Sequence, residues 1–266
     1  MSGNRAFQSL ELVPEILNEY QRAPNELVWT EGLQWCNGFL YESAGSSTDD
    51  SAQLTYASLS QLTKLKLEDQ FVKTLARIDL PSAYFAEDIT IVNNQLFQII
   101  EGTTNVFVYD LEPFKHLPGL SSKSPTDQER WGICFDPRNE LFYISRNGSN
   151  VLDVYTKQHL GYGNPHNSLA IKFDNNSVYG LNTLEFANGF IYAAIMSGTD
   201  SHKIVKINPA DGAVTAQIEA NNLWVLQGNT NALDLNGIAY CRTDIDRRDI
   251  FFITGKYWAK IFKVKF

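Results

Sequence analysis

The sequence predicts an all-β protein, a five-bladed β-propeller formed as one domain over residues 1–266, and three observations lead there. A polar or special residue, a small turn residue and a short apolar strand recur at residues 30–35 (TEGLQW), 84–91 (YFAEDITI), 130–135 (RWGICF), 181–186 (LNTLEF) and 235–240 (LNGIAY). After each copy come a turn and a second apolar strand with a similar start. Helical periodicity is nearly absent, and even residues 58–67 (SLSQLTKLKL) alternate with the period of two that a strand needs.

In chain order, the second strands begin at residues 37–41 (NGFLY), 94–98 (NQLFQ), 139–143 (NELFY), 188–192 (NGFIY) and 248–252 (RDIFF). Asn-Gly or Asn-X between two alternating runs signals a hairpin, because a tight primed turn needs positive φ. Third strands follow at 105–111 (NVFVYDL), 151–155 (VLDVY), 203–208 (KIVKIN) and 260–265 (KIFKVK), and residues 213–219 (AVTAQIE) read as an outer strand after the turn at 209–212. The unit is thus about four antiparallel strands, repeated at roughly 45–60 residues. Residues 11–20 (ELVPEILNEY) and the C-terminal 260–266 are both strand-like, so one blade is expected to combine strands from the two ends and close the ring. Innermost strands of a propeller line its channel. Aligning the repeats puts Glu31, Glu87, Trp131, Asn182 and Asn236 in one column expected to ring a pocket, with Glu87 as its leading catalytic candidate.

Composition narrows the function classes. The apolar fraction of 44% is that of a globular protein, and the 16 Phe, 12 Tyr and 5 Trp sit mostly in short runs that favour strands. A net charge of −8 with scattered basic residues argues against a nucleic-acid surface, which needs a clustered cationic face. It suits amine-bearing ligands. No apolar run approaches the ~18–20 residues that span a membrane, so no membrane partner is expected. The first residues lack the pattern of a secretory leader, giving a cytoplasmic expectation. On that expectation the Asn147 and Asn175 sequons carry no glycan. Cys36, Cys134 and Cys241 are isolated and odd in number, and read as small buried fillers rather than a disulfide framework. Trp224 and Trp258 read as core or blade-edge aromatics.

At its motifs the chain resembles the five-bladed glutaminyl-peptide cyclotransferases of plants and bacteria over nearly its whole length. The resemblance is carried by residues 13–20 (VPEILNEY), 29–33 (WTEGL), 40–45 (LYESAG), 85–89 (FAEDI), 131–133 (WGI), 181–185 (LNTLE), 235–240 (LNGIAY) and 254–258 (TGKYW). It implies a reaction in which the α-amine of an N-terminal glutamine attacks its own side-chain amide, closing pyroglutamate and releasing ammonia. Such chemistry needs a carboxylate to move a proton and donors to hold the oxyanion. By resemblance the acid/base glutamate is Glu87, and its amide and ammonium partners are Asn182 and Lys256. Trp29, Glu31, Phe85, Glu101, Trp131, Met196 and Asn236 are expected to bind a small-molecule or peptide substrate.

No cofactor is expected: His116, His159, His166 and His202 lie outside the column, leaving no zinc-type cluster. Calcium held by Glu31 and Glu101 is the alternative. The chain departs from the family pattern at the mouth, with Glu31 for a glutamine, Trp29 for a phenylalanine, Asp88 for a glycine, Glu101 for a tryptophan and Ala194-Ile-Met196 for Asn-X-Trp. Crowding of Glu87 with Glu31, Asp88 and Glu101 should raise its pKa. The departures leave two other readings open, cyclisation or group transfer on another amine-bearing molecule, and a non-catalytic binding module.

Overall fold

The computed structural model describes residues 10–46, 59–103, 105–118, 129–160, 164–196, 202–242 and 249–266. The strand start expected at Arg248 and the first residue of the stretch 58–67 lie outside them. The described chain is all-β. Strands β1 (Leu10–Leu12) and β2 (Glu15–Gln21) open it, followed by β3 (Trp29–Cys36), β4 (Phe39–Gly45), β5 (Gln61–Glu68) and β6 (Phe71–Asp79). Next come β7 (Ala86–Val92), β8 (Gln95–Ile100), β9 (Val106–Leu111) and β10 (Phe114–His116), then β11 (Arg130–Asp136), β12 (Leu141–Arg146), β13 (Val151–Thr156) and β14 (Asn167–Ala170). A ribbon of β15 (Lys172–Phe173) and β16 (Asn176–Ser177) leads to β17 (Leu181–Ala187), β18 (Phe190–Ile195), β19 (Lys203–Ile207) and β20 (Val214–Glu219). The short helix α1 (Asn221–Leu226) precedes β21 (Leu235–Tyr240), β22 (Ile250–Gly255) and β23 (Lys260–Lys265).

Strands β7–β10 and β11–β14 form antiparallel meanders, and β17–β20 form a third with β1 added at its outer edge. The remaining sheet has the order β21-β22-β23-β2-β6-β5-β4-β3, in which two four-stranded runs meet through one parallel pair, Gln21 with Phe71. Strand β2 pairs antiparallel with β23, so the two ends of the chain share a sheet. The N-terminal stretch expected as one strand is two. It breaks at Val13-Pro14, sending β1 to β20 and β2 to β23, because proline offers no N–H to either ladder.

The first strands pack side by side in a closed cycle, β3 on β7, β7 on β11, β11 on β17, β17 on β21 and β21 on β3. Hairpins from first to second strand turn through Asn37-Gly38, Asn93-Asn94 and Asn188-Gly189, all with positive φ. Alternate residues of one strand serve two different cores, as the period of two demands. On β18, Ile191 and Ala193 pack toward Tyr143 and Leu152 of one neighbouring sheet, whereas Tyr192 and Ala194 pack toward Phe251 and Ile253 of the other. Cys134 and Cys241 are buried fillers, but Cys36, at the end of β3, is only half-buried. Trp258 is fully buried and Trp224 is exposed on α1. No described helix is long and apolar enough to cross a membrane.

Every first strand carries an irregularity at the same point. Pairing with the second strand shifts between Thr30 and Gly32, Ala86 and Ile89, Arg130 and Ile133, Leu181 and Leu184, and Leu235 and Gly237. The column residues Glu31, Glu87, Trp131, Asn182 and Asn236 lie inside these bulges, which re-aim side chains and bend the strand. Asp88, fully buried, joins three of them. Its carboxylate accepts the N–H of Ile89 at 2.8 Å, of Ile133 at 3.0 Å and of Leu184 at 2.8 Å, the residues where regular pairing resumes in β7, β11 and β17. Gly32 leaves room for it, since a Cβ there would collide with Asp88 Oδ1. Asp88 is therefore a brace between strands, not the extra pocket carboxylate that its place beside Glu87 suggests.

An Asp88→Ala variant strands the N–H groups of Ile133 and Leu184 in the interior, at about 1–3 kcal/mol each. Urea unfolding at neutral pH should show a loss of roughly 2–6 kcal/mol, and Asp88→Asn, which keeps one accepting oxygen, should lose less.

Candidate active site

The bulge in β3 turns Glu31 into a nest of nitrogen donors. The side chain is 1% exposed. Lys256 Nζ donates to Oε1 at 2.9 Å, the Trp29 indole N–H donates to the same oxygen, and Asn236 Nδ2 donates to Oε2. Trp29 also holds the ammonium with its ring face, 4.9 Å from centroid to Nζ, and packs edge-on against Tyr257 at 5.4 Å. Lys256 is thus a buried ion-pair partner of Glu31, and Asn236 bonds to Glu31 across the fold.

Glu87 is buried at the start of β7, and its Oε2 has no hydrogen-bond partner among the described residues. Its backbone is fixed by a relay of side chains: Tyr109 O–H donates to Gln98 Oε1 at 2.7 Å, Gln98 Nε2 donates to Ser43 Oγ at 2.8 Å, and Ser43 O–H donates to the Glu87 carbonyl. The device repeats two column positions away, where Ser145 O–H donates to the Asn182 carbonyl at 3.1 Å. Both serines stand opposite the bulge of their own sheet and reach the next one. Neither was singled out as a site residue from sequence; a serine at the same register of two second strands was the available signal.

Asn182 Nδ2 lies 3.7 Å from Met196 Sδ, while its Oδ1, like Asn236 Oδ1, is buried without a partner among the described residues. Glu101, half-buried beyond the end of β8, is tied to the mouth by its backbone N–H, which donates to the Phe85 carbonyl at 2.9 Å. Phe85 and Trp131, both half-buried at the starts of β7 and β11, stand outside the hydrogen-bonded group, with the Phe85 ring packed over Gly45. The structure therefore brings Trp29, Glu31, Asn236 and Lys256 into direct contact, with Glu87 and Glu101 within electrostatic reach, and pairs Asn182 at the start of β17 with Met196 just past the end of β18.

Burial dominates the titration of the cluster. It pushes Glu31 up to about 7 although Lys256 and Trp29 pull it down. Glu87 is raised well above the ordinary carboxylate range, first by burial and then by the Glu31 charge, with Lys256 opposing. Like-charge crowding, the cause expected from sequence, comes second. Burial pulls Lys256 down, but the charge and hydrogen bond of Glu31 outweigh it and raise the group, so it stays an ammonium. Above about pH 7 Glu31, with three nitrogen donors, carries the negative charge, while Glu87, with a bare oxygen, keeps the proton longer.

Among the described residues no group of three or more His, Cys, Asp or Glu side chains is placed to hold a metal ion. Both oxygens of Glu31, half of the calcium alternative, already face nitrogen donors.

Comparison with known proteins gives one consistent picture. A family model described as glutamine cyclotransferase matches residues 3–266. A glutaminyl-peptide cyclotransferase of Arabidopsis thaliana is 28% identical over 261 residues, covering 94% of this chain and 70% of that protein. The crystal structure of Myxococcus xanthus glutaminyl cyclase matches with a TM-score of 0.77 at 26% identity, covering 97% of each chain.

The raised carboxyls give a signed pH dependence. Between the ordinary carboxylate range and about 7 for Glu31, or about 8 for Asp88, the folded chain holds protons that the unfolded chain has released. Their stabilisation is complete at low pH and is lost as pH rises through that window. Thermal unfolding should show Tm falling from about pH 5 to about pH 8, and Glu87→Gln should flatten the fall.

Proposed function

The chain belongs to the glutamine cyclotransferase family, and we propose that it is a five-bladed β-propeller enzyme that converts the N-terminal glutamine of a peptide into pyroglutamate. The cycle of first strands and the sheet shared by both chain ends support the five-bladed reading. One observation carries the function. Glu87 Oε2, Asn182 Oδ1 and Asn236 Oδ1 are buried acceptors without partners among the described residues, at strand starts around a fixed ammonium. Buried polar atoms without partners are rare and call for an explanation. An α-amine and a primary carboxamide supply the N–H groups that such acceptors lack.

In the proposed reaction the neutral α-nitrogen forms a bond to the side-chain amide carbon. The negative charge that develops on the amide oxygen is met by Lys256 Nζ and Asn182 Nδ2, donors held in a site of low dielectric. The bond to the departing nitrogen then breaks, and ammonia leaves with a proton from Glu87. The attacking nitrogen returns a proton to the Glu87 carboxylate, so the carboxyl ends as it began and the net transfer is one proton from one nitrogen to the other. Nothing is oxidised or reduced. A carboxyl kept protonated by burial suits the departure of ammonia, and the Glu31 anion offsets the Lys256 charge that would otherwise favour ionisation of Glu87. Trp29, Phe85, Trp131 and Met196 supply the walls that keep water out.

Incubation with a Gln-initiated peptide should yield pyroglutamate and ammonia in equal amounts. Glu87→Gln should lower kcat by roughly 100- to 10,000-fold, the usual weight of a general acid–base group. The kcat/KM profile should be bell-shaped, rising as the substrate amine deprotonates near about 8 and falling as Glu87 loses its proton. No product from the wild-type protein, or full activity in Glu87→Gln, would overturn the reading.

A further inference from the structure

The geometry points to residues 227–234 as the positioning element for Lys256, with Asn229 and Gln227 as its clamps. A lysine has four flexible carbons between backbone and charge, so its ammonium has a fixed address only if its backbone does. That backbone is a strained turn. Tyr257 follows Lys256 with φ of 58°, a left-handed value uncommon outside glycine and tolerated where the surroundings enforce it.

One loop does most of the holding, beside the Tyr257 N–H, which donates to the Val28 carbonyl at 2.9 Å. Lys256 N–H donates to the Asp234 carbonyl and Leu233 N–H donates to the Lys256 carbonyl, both at 2.9 Å, so the loop grips the lysine from either side. Asn229 Nδ2 donates to the Tyr257 carbonyl at 2.7 Å, and the Trp258 indole N–H donates to the Leu233 carbonyl at 2.9 Å. Gln227, almost fully buried, organises the loop itself. Its Oε1 accepts from Asn229 N–H at 2.8 Å and from Ala259 N–H at 3.3 Å, and its Nε2 donates to the Asn229 carbonyl at 2.6 Å. Asn229 Oδ1 accepts from Asn231 N–H at 3.1 Å, which leaves its amide nitrogen aimed at the turn. Both residues act through Lys256, by holding the turn from which Nζ meets Glu31 and the Trp29 ring.

The electrostatic consequence can be read at Glu31. The charged groups around it are Lys256 from the turn after β22, Glu87 and Asp88 from β7 and Glu101 after β8, with Asp234 beside Lys256 and Glu129 beside Glu101. Lys256 is the cation among them that favours the Glu31 anion, so loosening it moves Glu31 titration to higher pH. The Trp29 indole N–H, bonded to Glu31, reports that titration without any turnover.

The inference rests on the proposed function for its kinetic arm alone. In the full-length protein, the Trp29 indole signal, assigned with Trp29→Phe, is followed by nitrogen-edited NMR against pH. Asn229→Ala should shift its midpoint upward, and on a Gln-initiated peptide kcat should fall roughly 10- to 100-fold with KM little changed, as for a catalytic group displaced by about an ångström. Gln227→Met, which loosens the same turn from a second point, should do likewise and decides the matter should the first variant not fold. Asn188→Ala, which removes a bond to Asp249 far along the strand from the mouth, should lower Tm without moving the midpoint. An unmoved midpoint in both loop variants, or an equal shift in Asn188→Ala, overturns the inference. Wild-type inactivity on glutamine would overturn the proposed function and leave the NMR result to decide this one.

Discussion

Three strand starts converge on the carboxylate of Asp88, and the arrangement of the mouth follows from how that carboxylate is satisfied. A bulge frees a backbone N–H from its ladder, and inside a protein such a group must find an acceptor. Asp88 accepts from three of them, in β7, β11 and β17. Further along the same strands Glu185 accepts from the Gln34 side chain and from the backbone of Phe186 and Tyr240, linking β17 to β3 and β21. Two buried acids therefore reach all five first strands. Their burial is unfavourable in itself, since desolvation raises both, and the backbone donors offset part of it.

Above that brace, the cluster at the mouth separates two carboxyls of the same chemistry by the company each keeps. Glu31 receives an ammonium, an indole and an amide, whereas Glu87 is surrounded by burial and by the charge of Glu31. Removing Lys256 from such a setting would leave an uncompensated buried anion, the costly half of a buried ion pair. The pair is accordingly held by more than itself, by the Trp29 ring on one side and the 227–234 loop on the other.

Strand order and hairpins were legible in the sequence because alternation and Asn-Gly turns are local signals. The column was legible because the bulge falls at the same offset in every repeat. What escaped depended on distant parts of the chain. Asn236 and Glu31 are 205 positions apart, and nothing near either residue announces the other. Asp88 was misread as a pocket acid because neighbours inside a bulge need not share the direction that plain alternation assigns them. The Ser43–Gln98–Tyr109 relay joins two sheets and has no local signature. Pro14 stood in the sequence, but only the two competing ladders reveal that it divides one strand between them.

The pairing of β2 with β23 places a seam between the first and last parts of the chain, and the Glu31–Lys256 contact bridges the same seam. Neither part can make that charge pair alone. Until β23 docks beside β2, Glu31 lacks its ammonium and β2 lacks its neighbour. Formation of the mouth cluster and joining of the seam thus arrive as one event, so the Glu31–Lys256 pair marks a chain whose distant parts have already met.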